Sequence, residues 1–141
     1  MEKEIYLKCL DDDSMKEARL NIFRDINNTK IDFELDDLKF TKNADDYFAA
    51  LIEIRKELEP KGIKLLCKGC SRNVYPSNMS IEMGGGWIAY EMKMGKEVER
   101  EDHVCIFDAC TLEEYATIEE QLLFFEQWYE NIKLVRCNGQ K

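Results

Sequence analysis

The chain has 141 residues, of which 45% are hydrophobic and 35% charged, and it contains only two prolines and seven glycines. This composition excludes a disordered or low-complexity protein, and the length suits one hydrophobic core, so we predict a single domain over residues 1–141. The net charge of −9 disfavours binding to nucleic acids and anionic membranes. It favours a cationic protein partner, although acidity also serves solubility alone.

The N-terminal residues lack the basic start and the apolar run of a signal peptide. No stretch approaches the roughly 18 apolar residues that are needed to cross a bilayer. These features predict a cytoplasmic protein without a membrane partner. A reducing compartment in turn predicts that most of the six cysteines are free thiols.

The first forty residues predict an antiparallel meander, because apolar and polar residues alternate in three short runs. The runs cover residues 5–9, 18–23 and 31–35. The acidic segment 11–14 and the two asparagines at 27 and 28 predict turns between them. Residues 15–24 also fit a short helix, so the second strand keeps an alternative from the sequence alone.

A helix is predicted to follow residues 41–43, because Tyr47, Leu51, Ile54 and Leu58 recur at the spacing of one helical face. Thr41 or Asn43 can cap it. We expect it to end near Glu59, because Pro60 disfavours a helical residue before it. Further strands are predicted at residues 63–68, 87–94 and 104–107, and the segment between the first two is predicted to be a loop without a helical pattern.

The last element is a helix over residues 118–131, opened by Thr117 and Glu120 at the spacing of a capping box. Its apolar residues form a main stripe and a second one that contains Phe124 and Trp128. Together the elements predict an α+β fold, in which two main helices pack on a single antiparallel or mixed sheet of about five to six strands.

The segment from residue 71 to residue 90 carries the most distinctive side chains, a mixture of arginine, aromatic, amide and proline residues that is frequent in binding loops. Its glycine run lacks the lysine and hydroxyl of a phosphate-binding loop. We expect these glycines to provide positive φ angles or a close approach to another chain. With two aromatic residues of the last helix, the candidate binding residues are Arg72, Asn73, Tyr75, Ser77, Gly84, Gly85, Gly86, Trp87, Phe124 and Trp128.

The remaining polar groups form no recognisable catalytic or metal site in the sequence. Cys67 and Cys70 have the spacing of a redox pair or of half a zinc site, but without a following helix or a second ligand pair, ordinary buried thiols are favoured. His103 lies in an acidic turn without a nucleophile motif, which favours a surface histidine. We therefore predict no catalytic residue, metal or cofactor.

Three segments in the middle third of the chain also resemble a known pattern. They are Leu65-Leu66-Cys67-x-Gly69, Asn73-Val74-Tyr75-Pro76-Ser77-x-Met79 and Met83-Gly84-Gly85-Gly86-x-x-Ala89-Tyr90. Together they resemble the core of a family of small bacterial cytosolic proteins of uncharacterised activity, from which Cys70 and Trp87 depart. The resemblance implies a bacterial cytosolic protein of unknown function, and small acidic α+β proteins of this kind sometimes resemble immunity proteins that neutralise a toxin.

Two functional hypotheses follow from these observations. The first is a non-catalytic protein-binding module, such as an immunity-type inhibitor of a basic toxin, whose acidic surface speeds association and whose terminal-helix aromatics anchor the partner. The second is a small-molecule binder or an enzyme built on residues 71–90, in which Arg72 holds an anion and Tyr75 or Ser77 donates hydrogen bonds.

Overall fold

The computed structural model describes residues 2–139, with side chains as far as residue 137. Its larger sheet has five antiparallel strands in the order β4-β3-β2-β1-β5. The predicted meander is confirmed, and the alternative of a helix over residues 15–24 is excluded. The strands are β1 (Glu2–Asp11), β2 (Ser14–Asp25), β3 (Asn28–Leu35), β4 (Leu38–Ala44) and β5 (Ile63–Leu65).

Two-residue turns join the first four strands and fix their register. Asp12, Asn27 and Asp36 take φ angles of 55°, 60° and 52° in these turns, in a backbone region that Asp and Asn tolerate better than most residues. The resulting register sets Leu20 opposite Phe33 on the buried face of the sheet. A slip of one residue would expose that whole face, so the turns also determine which side chains form the core.

Helix α1 spans Tyr47–Leu58 and packs on the buried face of the larger sheet. Its N-cap is Asp46, whose carboxylate accepts a hydrogen bond from Ala49 N at 2.7 Å. The predicted caps, Thr41 and Asn43, lie instead in β4, a strand that the sequence prediction did not include. The helix itself is confirmed, although it begins later than a cap at residue 41 or 43 would place it.

A second antiparallel sheet holds three short strands in the order β6-β7-β8, which are Val74–Tyr75, Ile88–Glu91 and His103–Cys105. The strands predicted near residues 87–94 and 104–107 therefore pair with each other and not with the meander. The α+β class is confirmed, while two sheets replace the single predicted sheet. One hydrophobic cluster nevertheless contains buried residues of both sheets.

Two further helices complete the described part of the chain, α2 (Asn78–Gly84) and α3 (Ile118–Gly139). Helix α2 lies in the segment that we predicted to be a loop. Pro76 does not interrupt this helix, because it stands before the N-cap. The capping box of α3 is confirmed, since Thr117 N donates to Glu120 Oε1 at 2.9 Å and Glu120 N donates to Thr117 Oγ1 at 3.2 Å. No helix within residues 2–139 is both long and apolar enough to cross a membrane.

A buried arginine ties α1 to the second half of the chain. Arg55 is 1% exposed, and its guanidinium donates to Ala116 O at 2.8 Å, to Gly69 O at 3.2 Å and to the amide oxygen of Gln121. The Glu59 carboxylate lies 3.9 Å from its Nε. Because a buried charge is tolerated only with such partners, this network fixes α3 against α1 and the turn at residue 69.

Candidate functional site

Helix α2 presents two methionines to solvent. Ser77 caps the helix, since its hydroxyl accepts a hydrogen bond from Ser80 N at 3.0 Å. Met79 and Met83 stand four residues apart, which places them on one face. Their exposed fractions are 67% and 82%, so neither side chain contributes much to the core, and the pair forms one edge of an apolar patch.

The glycine run then returns the chain from α2 to the second sheet. Gly85 and Gly86 have φ angles of 67° and 76°, in the region that favours glycine. Gly85 O accepts a hydrogen bond from Tyr47 N at 2.8 Å, so the turn is fixed to the start of α1. The expected positive φ angles are confirmed for these two glycines.

A concave surface of about 430 Å³ lies between α2 and the second sheet, and we call it the α2 groove. Ile88 is 37% exposed in it, and Trp87 and Tyr90 are half-buried. The surface is therefore mainly apolar and aromatic, as in many binding sites. Its lining residues are Met79, Ser80, Met83, Gly84, Trp87, Ile88, Tyr90 and His103.

The floor of the α2 groove is attached to the protein core. The Trp87 ring contacts Tyr47 edge-on at a centroid distance of 5.0 Å and Phe107 at 5.1 Å. The Ser80 hydroxyl donates a hydrogen bond to Ile88 O, which ties α2 to β7. The flexible methionine side chains therefore lie beside residues whose positions are fixed by the core.

Charged residues of both signs lie near the α2 groove, whose lining residues include no carboxylate. Glu82 is exposed on α2. His103 follows Glu101 and Asp102, which line a separate hollow of about 450 Å³ with two further acids and two lysines. Nearby cations include Lys3, whose Nζ lies 4.9 Å from the Trp87 ring centroid, and Arg24, whose guanidinium lies beside Gly85. A preference for a positively charged ligand therefore follows from the net charge of −9 and not from the groove lining.

Two groove residues carry polar groups that often take part in catalysis, and both have other partners here. The Ser80 hydroxyl donates to Ile88 O, as described above. The His103 ring packs edge-on against Tyr90, with 4.6 Å between the ring centroids. His103 is exposed, as predicted for a surface histidine, but it is the first residue of β8 and does not lie in a turn. These contacts give both residues roles in packing and in backbone hydrogen bonding.

Three predicted binding residues lie outside the groove lining. Arg72 has a side chain that is 54% exposed, and it pairs with Glu120 on α3 at 3.7 Å. Asn73 Nδ2 donates to Met92 O at 3.2 Å. Tyr75 stacks on Phe125 of α3 at 4.3 Å, and burial raises the pKa of its hydroxyl. Asn73 and Tyr75 therefore hold the second sheet in place, and Arg72 makes an ion pair at the surface.

The two predicted anchors on α3 also lie elsewhere. Trp128 is 6% exposed, and its Nε1 is 3.0 Å from both Lys93 O and Lys96 O. Phe124 is partly buried and packs in the same small cluster, with Met92. The expectation that Trp128 anchors a partner is therefore wrong, because the fold uses this side chain to hold the hairpin after β7. Of the ten candidates, Gly84 and Trp87 line the groove, while Ser77, Gly85 and Gly86 shape its helix and turn.

The cysteine pair is sealed inside the protein. Cys67 and Cys70 are both 0% exposed, with 3.6 Å between their Sγ atoms. The hydrogen bond that the Cys67 thiol shares with Cys70 and the complete burial of the thiol raise the pKa of Cys67. Buried thiols of this kind react slowly. Within the part of the chain that the structure describes, no group of three or more His, Cys, Asp or Glu residues could hold a metal ion.

Sequence reasoning missed Met79, Met83, Ile88 and His103 as members of one site. A local signal was present for the first two, because Ser77 is a favourable N-cap after a proline and the two methionines follow at helical spacing. The contribution of His103 had no local signal, since β8 reaches the groove only by pairing with β7.

Comparisons with known proteins add no functional assignment. The chain matches none of the known protein families, and a search of curated proteins finds no significant match. The resemblance to small bacterial immunity-like proteins therefore stays a prediction. The site is defined by its geometry, as an apolar groove in an α+β fold.

Proposed function

We propose that this protein is a non-catalytic module that binds a cationic protein through the α2 groove, in the manner of an immunity-type inhibitor of a basic toxin. The observation that carries the proposal is the exposure of Met79, Met83 and Ile88 around one concave surface. Apolar patches of this kind on a folded protein mark interaction sites. Methionine suits such a surface, because its flexible thioether adapts to the shape of a partner.

Charge supports a cationic partner over a second copy of this chain. The net charge of −9 makes two copies repel each other. A basic protein would instead be steered towards the acidic surface, and its cations could pair with Glu82 at the groove. Its apolar side chains would then bury against the methionines and Trp87.

A small-molecule ligand is the second candidate, favoured by the groove volume of about 430 Å³, which lies within the usual range for ligand sites. The contacts of Arg72 and Tyr75 count against the version of this candidate in which those two side chains hold the ligand. Arg72 pairs with Glu120, and Tyr75 stacks on Phe125, so neither side chain lines the groove.

Site-specific photo-crosslinking in the source cells tests the proposal. A benzoylphenylalanine at Met79 should give an adduct with one basic protein. The matched control is the same residue at Tyr6, which is 54% exposed on the outer face of the larger sheet. Equal adducts at both positions, or none at Met79, would contradict the proposal. A small molecule that copurifies with the protein, without an adduct, would favour the second candidate.

A further inference from the structure

The structure shows the surroundings of six glycines. At five of them the fold itself accounts for the absence of a side chain. Gly62, Gly85, Gly86 and Gly95 have φ angles between 67° and 78°, where side chains are strained. Gly69 has an ordinary φ, but an added Cβ would lie 2.4 Å from Leu51 Cδ2 in the core. Each of these positions would suffer if it carried a side chain.

Gly84 meets neither condition. Its φ lies outside the left-handed region, and a Cβ at this position would find no atom within 4 Å. It is also the last residue of α2, where glycine is a poorer choice than alanine because it leaves the unfolded chain more freedom. The fold therefore gains nothing from the missing side chain at this position.

Gly84 is, however, a lining residue of the α2 groove. It follows Met83 directly and faces open space at the end of the helix. A side chain at this point would project into the space beside the methionines. Glycines without a structural reason commonly mark places where another backbone approaches closely.

We infer that Gly84 is a contact residue of this groove and determines its specificity, because its missing side chain admits the backbone of an extended, basic segment of the partner. This inference rests on the proposed function. The segment crosses the end of α2 at Gly84, places an apolar side chain against Met83 and Ile88, and sets a cationic side chain near Glu82. The net charge of −9 favours such a segment over a second copy of this chain.

The test adds a side chain at residue 84 to the protein that carries the crosslinker at Met79. Gly84→Leu should lower the adduct yield about tenfold, which is the effect of losing one central contact. Gly84→Ala, which adds only the Cβ, should lower it less. Gln127→Leu is the matched control, because it places a leucine at an exposed position of α3 and leaves the charge unchanged. Urea unfolding checks that each variant is folded.

The outcomes separate this inference from the proposed function. A full adduct yield with folded Gly84→Leu would overturn the role of Gly84 and leave the proposed function in place. Should Gly84→Leu not fold, an unchanged yield with Gly84→Ala would overturn it equally. An adduct with twice the mass of the chain would identify a second copy and overturn the basic partner. No adduct from the unsubstituted glycine protein would overturn both.

Discussion

Alanine substitutions along the glycine run should divide into two classes of stability. Gly84→Ala should leave the free energy of unfolding unchanged or raise it by up to about 1 kcal/mol, because the Cβ meets no atom and the unfolded chain loses freedom. Gly85→Ala should lower it by about 2 kcal/mol. The left-handed backbone alone costs about 1–2 kcal/mol, and the Cβ would lie 2.9 Å from Arg24 Nη2 and 3.1 Å from Tyr47 Cδ2.

Urea unfolding of the unsubstituted protein, Gly84→Ala and Gly85→Ala measures this difference in stability directly. At an unchanged m-value, the midpoints of Gly84→Ala and Gly85→Ala should differ by an amount that corresponds to about 2–3 kcal/mol. Gly86→Ala, with φ of 76° and a Cβ 3.3 Å from Phe48 Cβ, should behave like Gly85→Ala. If Gly84→Ala were as unstable as its neighbours, the fold would require that glycine, and its assignment as a partner contact would lose its basis.

Four further substitutions test other parts of the structure by urea unfolding. Arg55→Met should destabilise the protein by about 3 kcal/mol, because it leaves Ala116 O and the buried amide oxygen of Gln121 without their donor; a neutral effect would contradict the network. Met83→Gln should change stability by less than about 0.5 kcal/mol, whereas Met92→Gln, at a residue that is 2% exposed, should cost about 2 kcal/mol or more; equal losses would mean that the groove is closed in solution. The ion pair with Lys68 lowers the pKa of Glu114, so its stabilisation should be complete above about pH 4.3 and lost as the pH falls further, and Glu114→Gln should cost more at pH 7 than at pH 3.

The sequence predicted the elements whose signals are local. The meander and α1 have clear hydrophobic periods, and the Thr117–Glu120 spacing specifies the start of α3 by two reciprocal hydrogen bonds. β4 was missed because its residues Thr41 and Asn43 are also good helix caps. The true cap, Asp46, lies close to them in sequence, and only the pairing of β4 with β3 decides between the two assignments.

The second sheet and the groove depend on contacts between distant residues. β6 has only two residues and β8 three, too few for an alternating pattern to reveal which sheet they join. The sequence also could not show which apolar side chains are exposed. Trp128 and Met83 are both large and apolar, yet Trp128 is 6% exposed and Met83 is 82% exposed. The difference arises from the hairpin after β7, whose carbonyls at Lys93 and Lys96 accept the indole N–H.

Tyr47 holds two parts of the α2 groove in position before any partner binds. The Tyr47 N–H fixes the glycine turn, and the ring of the same residue supports Trp87, so one residue of α1 holds both the turn and the floor. A surface that is already ordered loses little conformational entropy on binding, and here only methionine rotamers would have to be fixed. Removing the Tyr47 ring should therefore weaken binding although Tyr47 is not a lining residue of the groove, since the loss loosens Trp87 while the backbone N–H still holds Gly85.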